Sequence, residues 1–110
     1  MQYVSTRGGV PAATYSEIVL QGLAKDGGLF VPKEYPQVSR ETLESWRGLN
    51  YAQLATAVTS LFAKDMNRST IAHLCESTYT SEVYCHGREG TDFSKIVPLV
   101  WLEKDLAILE

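Results

Sequence analysis

The sequence predicts an α+β fold: several helices packed on a short antiparallel sheet or hairpin, as one small domain spanning residues 1–110. Three observations predict it. Apolar residues recur at helical spacing through the middle of the chain. Extended runs rich in apolar and β-branched residues open and close it. With 45% hydrophobic and 21% charged residues in 110, the chain has the balance of a folded protein and room for one modest core.

Each element follows in order. Gln2 to Ser5 reads as a short strand, and Arg7-Gly8-Gly9-Val10-Pro11 as the loop after it. Thr14 or Ser16 caps a first helix, in which Ile18, Val19, Leu20 and Leu23 form one apolar stripe. Gly22 lies near its end, and Asp26-Gly27-Gly28 tolerates positive φ, so the helix is expected to stop there. Leu29-Phe30-Val31 is an extended segment closed by Pro32. Ser39 caps a short helix with Glu41 in its first turn, Leu43 and Trp46 on one side, and Gly48 at its end. Asn50 and Gln53 have the spacing of a capping box, and Leu54, Ala55, Val58, Leu61 and Phe62 form the stripe of the helix that follows. Asn67 opens another helix with Ile71, Leu74, Cys75 and Thr78 inward. Trp46, Tyr51 and Phe62 read as core anchors. The polar span Tyr84 to Lys95 is expected to be an exposed loop. Ile96–Leu102 and Leu106–Leu109 read as strands joined by a turn at Glu103-Lys104-Asp105, with Pro98 at a strand edge or its first residues. The apolar run Ala107-Ile108-Leu109 that leads into Glu110 reads as part of a longer polypeptide.

Charge and composition exclude several function classes. Ten basic and 13 acidic residues give a net charge of −3, the wrong sign for a nucleic-acid binder. No apolar run approaches the ~20 residues of a membrane helix, and no basic, apolar leader opens the chain. Two cysteines, Cys75 and Cys85, are too few for a disulfide scaffold, so the expected setting is reducing and cytoplasmic. His73 with Cys75 and Cys85 with His86 converge poorly for a metal, and none is expected. Phosphate-loop, dinucleotide, zinc-protease and hydrolase-elbow motifs are missing. Gly27-Gly28 is able to present backbone N–H groups to a phosphate, or is a plain helix stop and turn. Lys25, Lys33, Lys64, Lys95 and Lys104 are the available amines for a Schiff base, yet all lie in polar or helix-end contexts. The residues by themselves identify no catalytic group.

Two strings add a resemblance. Tyr3-Val4-Ser5-Thr6-Arg7-Gly8 opens the chain, and Leu20-Gln21-Gly22-Leu23-Ala24-Lys25-Asp26-Gly27-Gly28-Leu29-Phe30-Val31-Pro32 follows a short helix. In this order and spacing they resemble the start of the threonine synthase family. Pro36, the run Leu49-Asn50-Tyr51-Ala52-Gln53-Leu54-Ala55, the helix from Ser69 to Tyr79 and Val97-Pro98-Leu99 extend the likeness over nearly the whole chain. The resemblance implies the N-terminal domain of an enzyme with the tryptophan synthase β type of fold. Its cofactor is pyridoxal phosphate, and it converts O-phospho-L-homoserine and water to L-threonine and phosphate.

The family's cofactor lysine lies in an H-G-P-T-x-x-F-K-D motif after a strand ending in L-E-L-F. Ile108-Leu109-Glu110 resembles the start of that strand, which puts the Schiff-base lysine beyond Glu110. The 110 residues are then expected to be inactive alone, with the catalytic domain of the same polypeptide as their partner. Glu103-Lys104-Asp105 and His86-Gly87-Arg88-Glu89-Gly90-Thr91 imitate parts of the motif without matching it. No residue is assigned a catalytic or cofactor-binding role. The candidates for the substrate cleft are Ser5, Thr6, Arg7, Asp26, Gly27 and Gly28. There Arg7 suits a phosphate or carboxylate, or else anchors the fold through a helix C-terminus or the Asp26 carboxylate. Two other readings stay open: a stand-alone interaction or regulatory module, and a family relative acting on a different phosphorylated substrate.

Overall fold

A computed structural model describes residues 1–87, Gly90, Asp92 and residues 95–109. The elements in chain order are β1 (Tyr3–Ser5), α1 (Tyr15–Gln21), β2 (Phe30–Pro32), α2 (Arg40–Trp46), α3 (Tyr51–Phe62), α4 (Arg68–Thr78), β3 (Leu99–Glu103) and β4 (Leu106–Leu109). The class is α+β, with two separate two-stranded antiparallel sheets, β1–β2 and β3–β4. Part of the loop expected over residues 84–95, namely residues 88, 89, 91, 93 and 94, lies outside the described residues, as does Glu110.

Helix starts follow from local hydrogen-bonding chemistry. Glu17 Oε2 accepts from Thr14 N at 2.7 Å, while the Thr14 hydroxyl faces the Glu17 amide, a reciprocal box that opens α1. Asn50 and Gln53 close the same kind of box on α3, at 2.9 and 3.0 Å. Ser39 Oγ accepts from Thr42 N and caps α2. Asn67 precedes α4 without a side-chain cap bond. The end of α1 differs from expectation: Gly22, at φ +74°, caps the helix and donates its N–H to Ile18 O. Asp26-Gly27-Gly28 is therefore not the helix stop and is left for another role.

The buried centre is small. Ala63, Ile71 and Cys75 form it, with Tyr15, Ala52, Met66 and Tyr79 packed against them where α3 meets α4. Within α3 the buried residues are Thr56 and Ala57, and Thr56 satisfies its hydroxyl by donating to Ala52 O. Tyr3 couples the N-terminal strand to this centre: its ring lies 5.9 Å from that of Tyr15, and its hydroxyl donates to Phe62 O at 3.0 Å. Burial pushes the Tyr3 phenol above its usual range, with Tyr15 and Asp65 adding to it. Asp65 Oδ2 accepts from Ser16 N and ties the start of α1 to the end of α3.

Three packing expectations fail. Trp46 and Phe62 are half-buried and Tyr51 is exposed, so the aromatic anchor is Tyr3 instead. Leu74, Thr78 and the Val19, Leu20 and Leu23 edge of the α1 stripe also face outward. The cause is a shortage of covering surface within these 110 residues. The accessible area is 8295 Å², whereas a compact monomer of 12.2 kDa exposes about 6,100 Å². The radius of gyration is 17.0 Å, against about 13 Å for a compact chain of this length.

Candidate functional site

The pairing of β1 with β2 (Val4 opposite Val31, Ser5 opposite Phe30) brings two distant stretches together. Residues 5–9 and 26–29 then lock through side chains. Asp26 Oδ1 accepts from Ser5 Oγ at 2.8 Å and from Gly28 N at 2.9 Å, and its Oδ2 accepts from Gly9 N at 2.7 Å. Ser5 Oγ, buried, accepts in turn from Arg7 N. Thr6 Oγ1 accepts from Leu29 N, and Thr6 N donates to Leu29 O. Arg7 Nη1 donates to the Asp26 carbonyl at 3.1 Å. The Gly28 N–H above all, then the Ser5 hydroxyl, hold the Asp26 carboxyl below the usual carboxylate range against desolvation, with the Gly9 N–H adding a smaller effect.

Close approach explains the glycine pair. A Cβ on Gly28 would stand 2.2 Å from Ser5 Oγ. One on Gly27, which sits at φ +79°, would stand 2.9 Å from Arg7 Nη1. Ser5, Thr6, Arg7, Asp26, Gly27 and Gly28 are thus assembled into one clasp, together with Gly9 and Leu29, which sequence reasoning did not single out. Two readings that the sequence left open are narrowed by these bonds. The Gly27 and Gly28 amides donate inward, to Ala24 O and Asp26 Oδ1, rather than presenting a nest to a phosphate. Arg7 is anchored on the Asp26 backbone carbonyl, not on its carboxylate.

Other chemistry-bearing groups are dispersed. All five lysines are exposed, whereas a Schiff-base lysine needs a desolvated or electrostatically tuned setting. Cys75 is buried in the helix interface, and Cys85 is exposed with its sulfur 4.0 Å from His86 Nε2. Among the described residues no helix is long and apolar enough to cross a membrane.

Two apolar surfaces stand open. A groove of about 550 Å³ is lined by Val10, Pro11, Leu20 and Phe30 together with Glu17 and Lys25. The β3–β4 hairpin is more extreme. Its register sets Leu99 opposite Leu109, Val100 opposite Ile108 and Trp101 opposite Ala107. Alternating residues face opposite sides of a strand, so Leu99, Trp101 and Leu109 line one face while Val100 and Ile108 line the other. Both faces are solvent-exposed, with Trp101 at 63% on one and Ile108 at 48% on the other. A hairpin apolar on both sides has the pattern of strands covered on both sides.

Comparison with known proteins adds to the geometry. The family described as threonine synthase N terminus matches residues 2–79. Threonine synthase of Methylobacillus glycogenes is 43% identical over 109 residues, which is 99% of this chain and 23% of that protein. The crystal structure of pyridoxal-phosphate-bound threonine synthase from Brucella melitensis superposes on all of this chain with a TM-score of 0.83 at 33% identity, over 22% of its own length. Escherichia coli threonine synthase shares the fold, with a TM-score of 0.73 at 18% identity. The chain therefore spans under a quarter of the length of the relatives it matches.

Proposed function

Because this chain belongs to the threonine synthase family, matching its N-terminal region, we propose that it is the N-terminal domain of a cytoplasmic threonine synthase. The enzyme is a pyridoxal-phosphate-dependent lyase that forms L-threonine and phosphate from O-phospho-L-homoserine and water. When bound, the cofactor supplies the electron sink for this chemistry. The lysine that holds it belongs to polypeptide beyond Glu110, in keeping with the exposure of all five lysines here. The 110 residues alone are inactive.

The observation that carries this reading is the surplus of exposed surface. The chain shows about 2,200 Å² more than a compact monomer of its mass. Permanent interfaces bury 2,000 Å² or more over both partners together. The surplus over the whole chain is of that size. In this reading the catalytic domain covers the hairpin, the outer edge of α1 and the groove beside it, and the clasp holds β1 and β2 in register beneath them.

The test is turnover. Full-length enzyme supplied with pyridoxal phosphate and O-phospho-L-homoserine is expected to release threonine and phosphate in equal amounts, and the 110-residue chain to release neither. Absence of threonine from the full-length reaction would overturn the proposal.

A further inference from the structure

We infer that Arg7 is an anion-holding residue, which receives a two-oxygen anion, phosphate or carboxylate, of the substrate. The inference rests on the proposed threonine synthase reading and goes beyond it by assigning a substrate contact to this domain.

The hydrogen-bond pattern of the clasp separates Arg7 from its neighbours. Both Asp26 oxygens are occupied by Ser5, Gly28 and Gly9. The Gly27 and Gly28 amides are taken internally. The guanidinium, by contrast, offers five N–H donors and uses one, from Nη1 to the Asp26 carbonyl. Among the described residues no carboxylate forms an ion pair with it. The nearest acid in the clasp, Asp26, keeps its carboxylate turned to other donors.

Arg7 is also held in place. Its own N–H is bound to the buried Ser5 Oγ, and its Nη1 to the Asp26 carbonyl. A freely solvated arginine loses rotamer freedom when it captures a ligand, whereas this one is oriented beforehand. The remaining donors of a planar, always-charged fork match the paired oxygens of a phosphate or carboxylate. Thr6 lies over the same turn. Its Oγ1 accepts from Leu29 N, which leaves the hydroxyl proton for a further oxygen.

The experiment uses the full-length enzyme and the variants Arg7→Gln and Arg7→Lys. Removing a charged, bidentate contact is expected to raise KM for O-phospho-L-homoserine by about tenfold or more, with kcat changed by less than about threefold. Arg7→Lys is expected to restore little of the loss, because an ammonium lacks the fork. Inhibition by inorganic phosphate and by L-homoserine identifies the oxygen pair. Weaker inhibition by phosphate alone assigns Arg7 to the phosphate, and weaker inhibition by homoserine alone assigns it to the carboxylate. A merely structural Arg7 would lower Tm, leave KM and both inhibition constants unchanged, and be rescued by lysine; that result overturns the inference. If the wild-type enzyme makes no threonine, the parent reading fails instead. The Arg7 Nε–H proton resonance, titrated with inorganic phosphate and with acetate, then decides anion binding directly: a saturable shift supports it, and no shift overturns it.

Discussion

Replacing Gly28 with alanine probes the clasp at its tightest point. The new Cβ would stand 2.2 Å from Ser5 Oγ, 3.0 Å from Asp26 Oδ1 and 3.1 Å from Arg7 N. The first distance is more than 1 Å inside ordinary contact, and the serine is buried and fixed by Asp26, so it has little room to retreat. Overpacking of this kind costs about 1–3 kcal/mol, and displacement of the Ser5 hydroxyl from Asp26 adds about 1 kcal/mol. Ser5→Ala alone loses its hydrogen bonds, again about 1 kcal/mol, but it also removes the atom in the way. The double variant Ser5→Ala/Gly28→Ala should then be more stable than the sum of the singles by at least about 1 kcal/mol. Urea unfolding midpoints of the four proteins, compared at constant m, read this coupling. Strict additivity, or a Gly28→Ala protein as stable as the parent, would refute the close approach on which the clasp rests.

Other consequences are open to the same kind of measurement. Ile71 is only 2% exposed at the centre of the small core; Ile71→Ala should lower stability by about 2–5 kcal/mol, read by chemical denaturation. The folded pKa of Asp26 is depressed, so its stabilisation is complete above the unfolded value near 3.9 and is lost as pH falls through the lower folded one. Between pH 5 and 2 the unfolding midpoint should fall more steeply for the parent than for Asp26→Asn, and parallel curves would count against the assigned hydrogen bonds. Leu109→Lys should reduce self-association of the isolated chain in size-exclusion chromatography, yet destabilise the full-length enzyme, where it would bury an unpaired charge. Improvement in both contexts would contradict a covered hairpin.

The parts of the fold that were legible in the sequence are the local ones. Thr14 with Glu17, Ser39 with Thr42, and Asn50 with Gln53 place helix starts through bonds that span three residues, and these need no tertiary information. The hairpin was legible for the same reason, from two apolar runs around a polar turn. Misreadings began where a partner surface decides. The stripes of α1 and α4 satisfy helical periodicity, but periodicity tells which side is apolar and not what lies against it. Leu20, at 89% exposure, is the clearest case. Tyr3 escaped notice because its partners, Tyr15 and the Phe62 carbonyl, are far along the chain. The six cleft candidates lie together because β1–β2 pairing brings them into one place, but the Asp26 bonds were invisible. An Asp-Gly-Gly string reads as a turn, and only the fold shows that its carboxylate faces Ser5 and Gly9.

Hydroxyl-radical footprinting of Trp101 in native full-length enzyme tests most directly whether the exposed apolar surface is an interface. Covered on both faces, the hairpin should leave Trp101 oxidised at a small fraction of its rate in the urea-unfolded enzyme. Equal rates in the native and unfolded protein would show the hairpin bare in the assembled enzyme and contradict the account.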